Sequence, residues 1–418
     1  MAVPAFSTSP MPIAWNGIPL LTPLTGVGHY TAELLRALIG LSFRSDPAPH
    51  PALHVDTFFA RHWLGPKETL ALETFAPQTA SKVTKNLPQA SLARSRLWRD
   101  VLRHIPGVRG LNRSLQAHYF QKGCSKRKPL LYHEPNFIAF PFHGPTVITV
   151  HDLSFIRHPE THPADRVRFM NRWIEPSLQR AQAVVVVSDF VRQELLSVFG
   201  DWVAKKTHVV FNGVSQAFRP WSADETQPVL ASHGLNHGQY LLTLGTLEPR
   251  KNLPSLLHAY ALLPATIKTQ YPLVIVGPQG WRGVELKGLA QQMRHENIRW
   301  LGYCANEERP LLYAGARAFV YPSVYEGFGL PALEAMASGL PTLVGPSLAV
   351  QEVCGDAGCL VNTVNSQAFA ETLSAVIEDD HLNQSLRQKS LERAGHFSWT
   401  LAAEKLLGVY RPLLQAAL

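Results

Sequence analysis

Short apolar runs rich in β-branched residues recur along this chain, and stretches with helical spacing separate most of them. Pro12–Trp15, Leu53–Phe59, Leu130–His133, Thr146–Val150, Ala183–Val187 and His208–Phe211 form one series. Tyr240–Leu244, Leu273–Val276, Ile298–Leu301, Ala318–Tyr321 and Thr342–Val344 form a second. Apolar strands alternating with helices are what a parallel sheet covered on both faces requires. Two series in succession predict two doubly wound α/β units. The length agrees, because 418 residues exceed the ~250–300 that one core usually supports. The stretch Ser215–Gly238, rich in Pro, Gly, Ser and Asn, is the expected linker between units at 1–214 and 239–398. A long amphipathic pattern, Trp399–Leu414, closes the chain.

Ligands of open parallel sheets bind beyond the carboxyl ends of the strands, so the polar residues at those ends are the candidates. After Ala318–Tyr321 comes the turn Glu326-Gly327-Phe328-Gly329, and a helix is expected from near Pro331 to Gly339. Glu326 falls in the turn, and Glu334 is expected in the first helical turn. The helix N-terminus, with its unpaired N–H groups, suits an anion or an electron-rich ligand. Acidic residues near a helix start are common for the dipole alone, so the two glutamates by themselves do not define a site.

Two further strand ends carry chemistry. Gly245-Thr-Leu-Glu-Pro-Arg-Lys-Asn252 follows Tyr240–Leu244, and there Arg250 and Lys251 are placed to neutralise a phosphate pair. His151, followed by Asp152, ends Thr146–Val150. It is a candidate hydrogen-bond donor to a hydroxyl or an acid/base group, with a capping or core-edge histidine as the plainer reading. Near the N-terminus the order strand, Gly26-Val27-Gly28, helix Thr31–Leu41 is how a mononucleotide-binding unit begins. A tight loop needing positive φ accounts for those glycines equally well.

Glu326 and Glu334, seven residues apart with Gly-Phe-Gly-Leu-Pro between them, resemble the signature of glycosyltransferase family 4. These are retaining enzymes of the GT-B fold, an α/β architecture of two Rossmann-like doubly wound domains facing across a cleft. The resemblance covers most of the chain and is strongest over 240–345. It implies that Glu334 accepts from the two hydroxyls of a ribose, and that Glu326 faces the transferred sugar. It further implies that Arg250 and Lys251 bind the diphosphate and that the backbone of Phe328, Gly329 and Leu330 holds sugar and phosphate. His151 would contact the donor sugar, Gly26 and Gly28 would line the donor site, and Tyr303 and Cys304 would lodge the base. The segment 399–418 would return to pack on the first domain. Thr246 stands where many members carry an Arg, which makes Lys251 the firmer phosphate ligand.

Leu131-Tyr-His-Glu-Pro-Asn136, Val147–Glu160 and Thr246–Asn252 look like members that build bacterial O-antigen and related polysaccharides. Those members transfer mannose or rhamnose from GDP- or dTDP-linked donors. The chain holds no Asp-x-Asp pair of the kind that binds a divalent metal between phosphates, so the expectation is metal-independent transfer with no cofactor. A sugar-nucleotide epimerase on the same fold, and a non-catalytic binder of anionic ligands, are the alternatives.

Charge narrows the partners. The net +8 divides as 25 Lys+Arg against 14 Asp+Glu in residues 1–220, and 14 against 17 thereafter. Residues 91–128 concentrate the excess, with Leu97, Trp98, Val101, Leu102 and Ile105 on one helical face. Such a segment suits an anionic membrane surface, or simply packs on its own domain. With a lipid-linked saccharide acceptor, a peripheral position on the inner face of the cytoplasmic membrane follows. No nucleic-acid module is legible. Cys124, Cys304, Cys354 and Cys359 lack metal-ligand spacing and read as reduced thiols. Neither a membrane span nor a secretory signal is expected.

Overall fold

The computed structural model describes residues 10–21, 26–42, 52–73, 108–278 and 296–418. Two sheets carry the molecule. The first runs β3-β2-β1-β4-β5-β6-β7, built from β1 (Met11–Asn16), β2 (Leu53–Phe59), β3 (His62–Leu64), β4 (Leu131–Glu134), β5 (Thr146–Val150), β6 (Ala183–Val186) and β7 (Thr207–Val209). The second runs β10-β9-β8-β11-β12-β13, from β8 (Leu241–Leu244), β9 (Leu273–Val276), β10 (Ile298–Gly302), β11 (Ala318–Tyr321), β12 (Thr342–Val344) and β13 (Gly358–Leu360). Among the described pairings all are parallel except β2 with β3.

The apolar runs are buried because helices cover both faces. Val184, Val185, Val186, Phe319 and Val320 are inaccessible to solvent. β3 and β13 are three-residue edge strands, too short to stand out as apolar runs in the sequence. The 215–238 stretch holds a helix, Ala223–Ser232, closed at its start by a capping box between Ser222 and Glu225. Its Leu230 is buried beneath Gly315 of the second unit. Leu230 is the one apolar side chain of this helix that is buried, which leaves little periodic trace, so composition alone reads as linker.

The helix expected over Thr31–Leu41 begins earlier and spans Gly26–Ser42. Gly26 and Gly28 sit in its first turn, neither with positive φ. Tertiary packing overrides their poor helix propensity, since Tyr30, two residues on, is buried against His151 and Trp399. The C-terminal helix, Trp399–Ala416, packs on this same helix, and Tyr410 hydrogen-bonds His133 of β4.

Within 91–128, residues 91–107 lie outside the described residues. The described part is the helix Val108–Arg127. Its Phe120 is buried in an aromatic cluster with Phe58, Trp63, Tyr132 and Phe140, while Leu115, Tyr119, Lys122 and Lys126 face outward. Among the described residues no helix is long and apolar enough to cross a membrane.

Candidate active site

The carboxyl ends of β1, β4, β5, β8 and β11 converge on the seam between the two sheets. Glu326, three hundred residues downstream of β1, lies at its centre and is buried. Its Oε2 accepts from Arg250 Nη1 at 2.7 Å, and its Oε1 accepts from Lys251 Nζ at 2.5 Å and from Tyr321 Oη at 2.9 Å. Burial alone would raise its pKa. The two cations and the hydrogen bonds from Lys251 and Tyr321 outweigh it and hold the carboxyl at about 2. Glu248 takes the other side of the Arg250 guanidinium at 2.9 Å. Two carboxylates therefore balance two cations.

The 326–329 turn closes onto the first unit. Ser188 Oγ donates to the Gly327 carbonyl at 2.6 Å, and Tyr325 Oη accepts from Leu153 N at 3.0 Å and donates to Glu194 at 2.5 Å. Glu352 caps the helix Asp189–Phe199 from the opposite unit, accepting from Asp189 N and Phe190 N at 2.8 and 2.9 Å. Gly329 adopts φ 102°, a left-handed conformation that suits glycine, and caps the helix Leu330–Ala337. That helix starts one residue before Pro331, which places Glu334 in its second turn and not in the first as expected. The Phe328 ring turns away from the seam's polar groups to pack between Phe211 and Phe397.

Glu334 is buried, and both its oxygens accept from Arg309 Nη2, at 2.7 and 2.6 Å. Arg309 Nη1 in turn lies 3.0 Å from His29 Nε2, at the start of the helix Gly26–Ser42. Burial, and then the Arg309 charge, lower His29 to about 4, so the ring is neutral and accepts. Cys304 is buried near this pair, its thiol pushed up to about 11 by burial. Tyr303 beside it is exposed.

His151 Nε2 stands 2.7 Å from the Pro135 carbonyl. A carbonyl only accepts, so Nε2 carries the proton. Burial lowers the pKa against that bond, the ring is neutral, and Nδ1 is left as an acceptor. Toward a hydroxyl, then, Nδ1 of His151 would accept, which fits the acid/base role the sequence offered and not donation through that nitrogen. A buried chain supports this ring. Tyr410 bonds His133, His133 Nε2 bonds Thr149 Oγ1 at 2.8 Å, Thr149 bonds Tyr30 Oη at 3.0 Å, and Tyr30 meets His151 edge-on at 4.7 Å. Asp152 accepts from Ser154 N and Oγ and serves its own turn. Beneath Pro135, Glu134 accepts from Asn16, Tyr132 and Asn136 N, which fixes the backbone presenting that carbonyl.

The structure thus gathers His151, Arg250, Lys251, Glu326 and the Phe328–Leu330 turn into one site. Glu334 and Cys304 lie beside it, with Gly26 and Gly28 one turn from His29. His29, Tyr325, Arg309 and Glu352 escaped the sequence reading. A polar residue inside a helical pattern or before it carries no signal of what it faces across a seam. Among the described residues no group of three or more His, Cys, Asp or Glu converges.

Two doubly wound parallel-sheet units meeting across this seam define the GT-B fold. Residues 230–393 match the family described as glycosyl transferases group 1, and residues 75–218 match glycosyltransferase family 4. The chain is 34% identical over 405 residues to an O-antigen chain mannosyltransferase B of Escherichia coli, covering 96% of this chain and 100% of that one. Among solved structures, a sucrose-phosphate synthase of Thermosynechococcus elongatus superposes with TM-score 0.69 at 20% identity, over 97% of this chain and 100% of that one. WaaG, a glycosyltransferase involved in lipopolysaccharide biosynthesis, superposes with TM-score 0.65 at 14% identity, over 96% and 99% of the two chains. The chain belongs to glycosyltransferase family 4.

Proposed function

We propose that this enzyme moves mannose, with rhamnose second, from a nucleotide-linked donor to a lipid-linked saccharide, in assembly of an O-antigen or related surface polysaccharide. GDP-mannose is the first donor to try and a dTDP-linked sugar the second. The observation that carries this reading is the full-length likeness to a mannosyltransferase of O-antigen synthesis, joined to Arg250 and Lys251 side by side on Glu326 at the seam.

Arg250 and Lys251 would take the diphosphate oxygens and stabilise the charge that develops as the phosphate leaves. Glu326, freed from them, would face the sugar and its growing positive charge. His151 Nδ1 would accept from a sugar hydroxyl. Glu334 would accept from the ribose diol. The two cations supply the neutralisation a metal gives elsewhere, which supports metal-independent transfer. In this reading Glu326 stabilises that charge without bonding to the sugar, and transfer runs on one face with retention.

A panel of sugar nucleotides with a lipid-linked saccharide tests the reading, with the anomeric configuration of the product read by NMR. Transfer from GDP-mannose with retention is expected. No turnover of any donor, or an inverted product, would overturn it.

A further inference from the structure

We propose that Arg309 is the positioning residue of the nucleotide anchor. It aims the Glu334 carboxylate at the ribose hydroxyls and, through His29, ties that aim to closure of the two units. This rests on the reading of Glu334 as the ribose anchor.

Arg309 Nη2 lies 2.7 and 2.6 Å from the two Glu334 oxygens, a charge-assisted contact to both. An ionised carboxylate has about four lone-pair positions. Nη2 uses one on each oxygen and the buried Tyr313 hydroxyl also bears on this carboxylate, which leaves at most one on each for the two neighbouring hydroxyls of a single ribose. The contact also stops rotation of the carboxylate, so its orientation is set before the nucleotide arrives.

Arg309 is itself oriented from the other unit. Its Nη1 meets His29 Nε2 at 3.0 Å, across 280 residues of sequence. Phe218 lies 5.6 Å from the guanidinium on a third side, and Nε is buried without a hydrogen-bond partner among the described residues. Separation of the units breaks the His29 bond and leaves the Glu334 contact alone. Arg309 therefore holds its full set of partners in the closed arrangement only. A lysine at 309 keeps the charge but offers a rotating point donor in place of a planar fork.

The test is discrimination at the ribose. Whichever of GDP and UDP stabilises the wild type more is compared with its 2′-deoxy counterpart by calorimetry, for the wild type, Arg309→Lys and His29→Ala. The wild type is expected to prefer the ribonucleotide by about 10- to 100-fold, the range for a hydrogen bond to a charged group. Arg309→Lys should bring that ratio close to one, and His29→Ala should lower it as well, while circular dichroism shows both variants folded. A wild type that binds both nucleotides equally sinks the ribose-anchor reading and this inference with it. A discriminating wild type beside a folded Arg309→Lys of equal discrimination sinks the Arg309 role alone. If Arg309→Lys does not fold, an unchanged ratio in His29→Ala overturns the proposal.

Discussion

A Cβ added to Gly327 would sit 1.8 Å from the carbonyl oxygen of His151. One residue belongs to the second unit and the other to the first, and Gly327 is not in a left-handed conformation. The absence of a side chain here therefore serves the approach of the two units and not the local backbone. Gly327→Ala should push this turn off the His151 carbonyl and lower the melting temperature. The near-attack geometry should suffer, with kcat/KM falling about 10- to 100-fold. A wild-type rate in that variant would show that closure to this distance is not needed for transfer.

Glu326 occupies both cations that a diphosphate requires. Glu326→Gln leaves that cluster one charge more positive. Nucleoside diphosphate should then bind as tightly as in the wild type or tighter, while kcat drops about 100-fold or more. Weaker diphosphate binding in this variant would mean that Glu326 orients Arg250 and Lys251 more than it competes for them.

Lys251→Met should weaken nucleotide-sugar binding by about 10- to 100-fold, the range for a hydrogen bond to a charged group. If Arg250 and Lys251 carry the neutralisation, prolonged treatment with EDTA leaves the rate unchanged. Activity lost in EDTA and restored by Mg²⁺ would sink the metal-independent reading.

Glu134 gives a pH signature. Burial pushes its carboxyl up to about 7 against the hydrogen bonds from Tyr132 and Asn16. In the unfolded chain a Glu ionises near ~4.3, so the native state holds the extra proton between the two values. The resulting stability is full below ~4.3 and is lost as pH rises through the native value, amounting to about 4 kcal/mol. Glu134→Gln has no such titration. Stability of the wild type relative to this variant should fall between about pH 4.5 and pH 8. A difference of the same size at both ends would remove Glu134 as the titrating group.

The membrane contact proposed for the basic segment can be tested on the outward residues of the helix Val108–Arg127. Lys122 and Lys126 are exposed beside Leu115 and Tyr119. The double change to alanine should weaken binding to vesicles containing anionic lipid by roughly 10- to 30-fold, at about 1 kcal/mol per lysine. Equal binding by wild type and variant, or no dependence on salt, would leave this helix as a packed surface element.

Much of the architecture was legible in the sequence because its rules are local. Thr146–Val150 and Ala318–Tyr321 are strands where their apolar runs begin and end, since a strand buried on both faces is mostly apolar. The spacing of Glu326 and Glu334 likewise survives intact, one on a turn and one on the helix that follows. The early start of the helix at Gly26 was not legible, because Tyr30 and its burial against Trp399 decide it. The Ala223–Ser232 helix was hidden for a similar reason.

By itself the sequence determined two sheet units, the strand ends on which chemistry could sit, and the identity of the charged residues there. Only the tertiary structure decided which of them meet. Glu326 finds Arg250 and Lys251, Glu334 finds Arg309, and Arg309 finds His29 280 residues away. The reason is physical. Secondary structure follows from neighbours along the chain, whereas the ionisation and orientation of a buried charge follow from whatever the fold brings within a few ångströms of it.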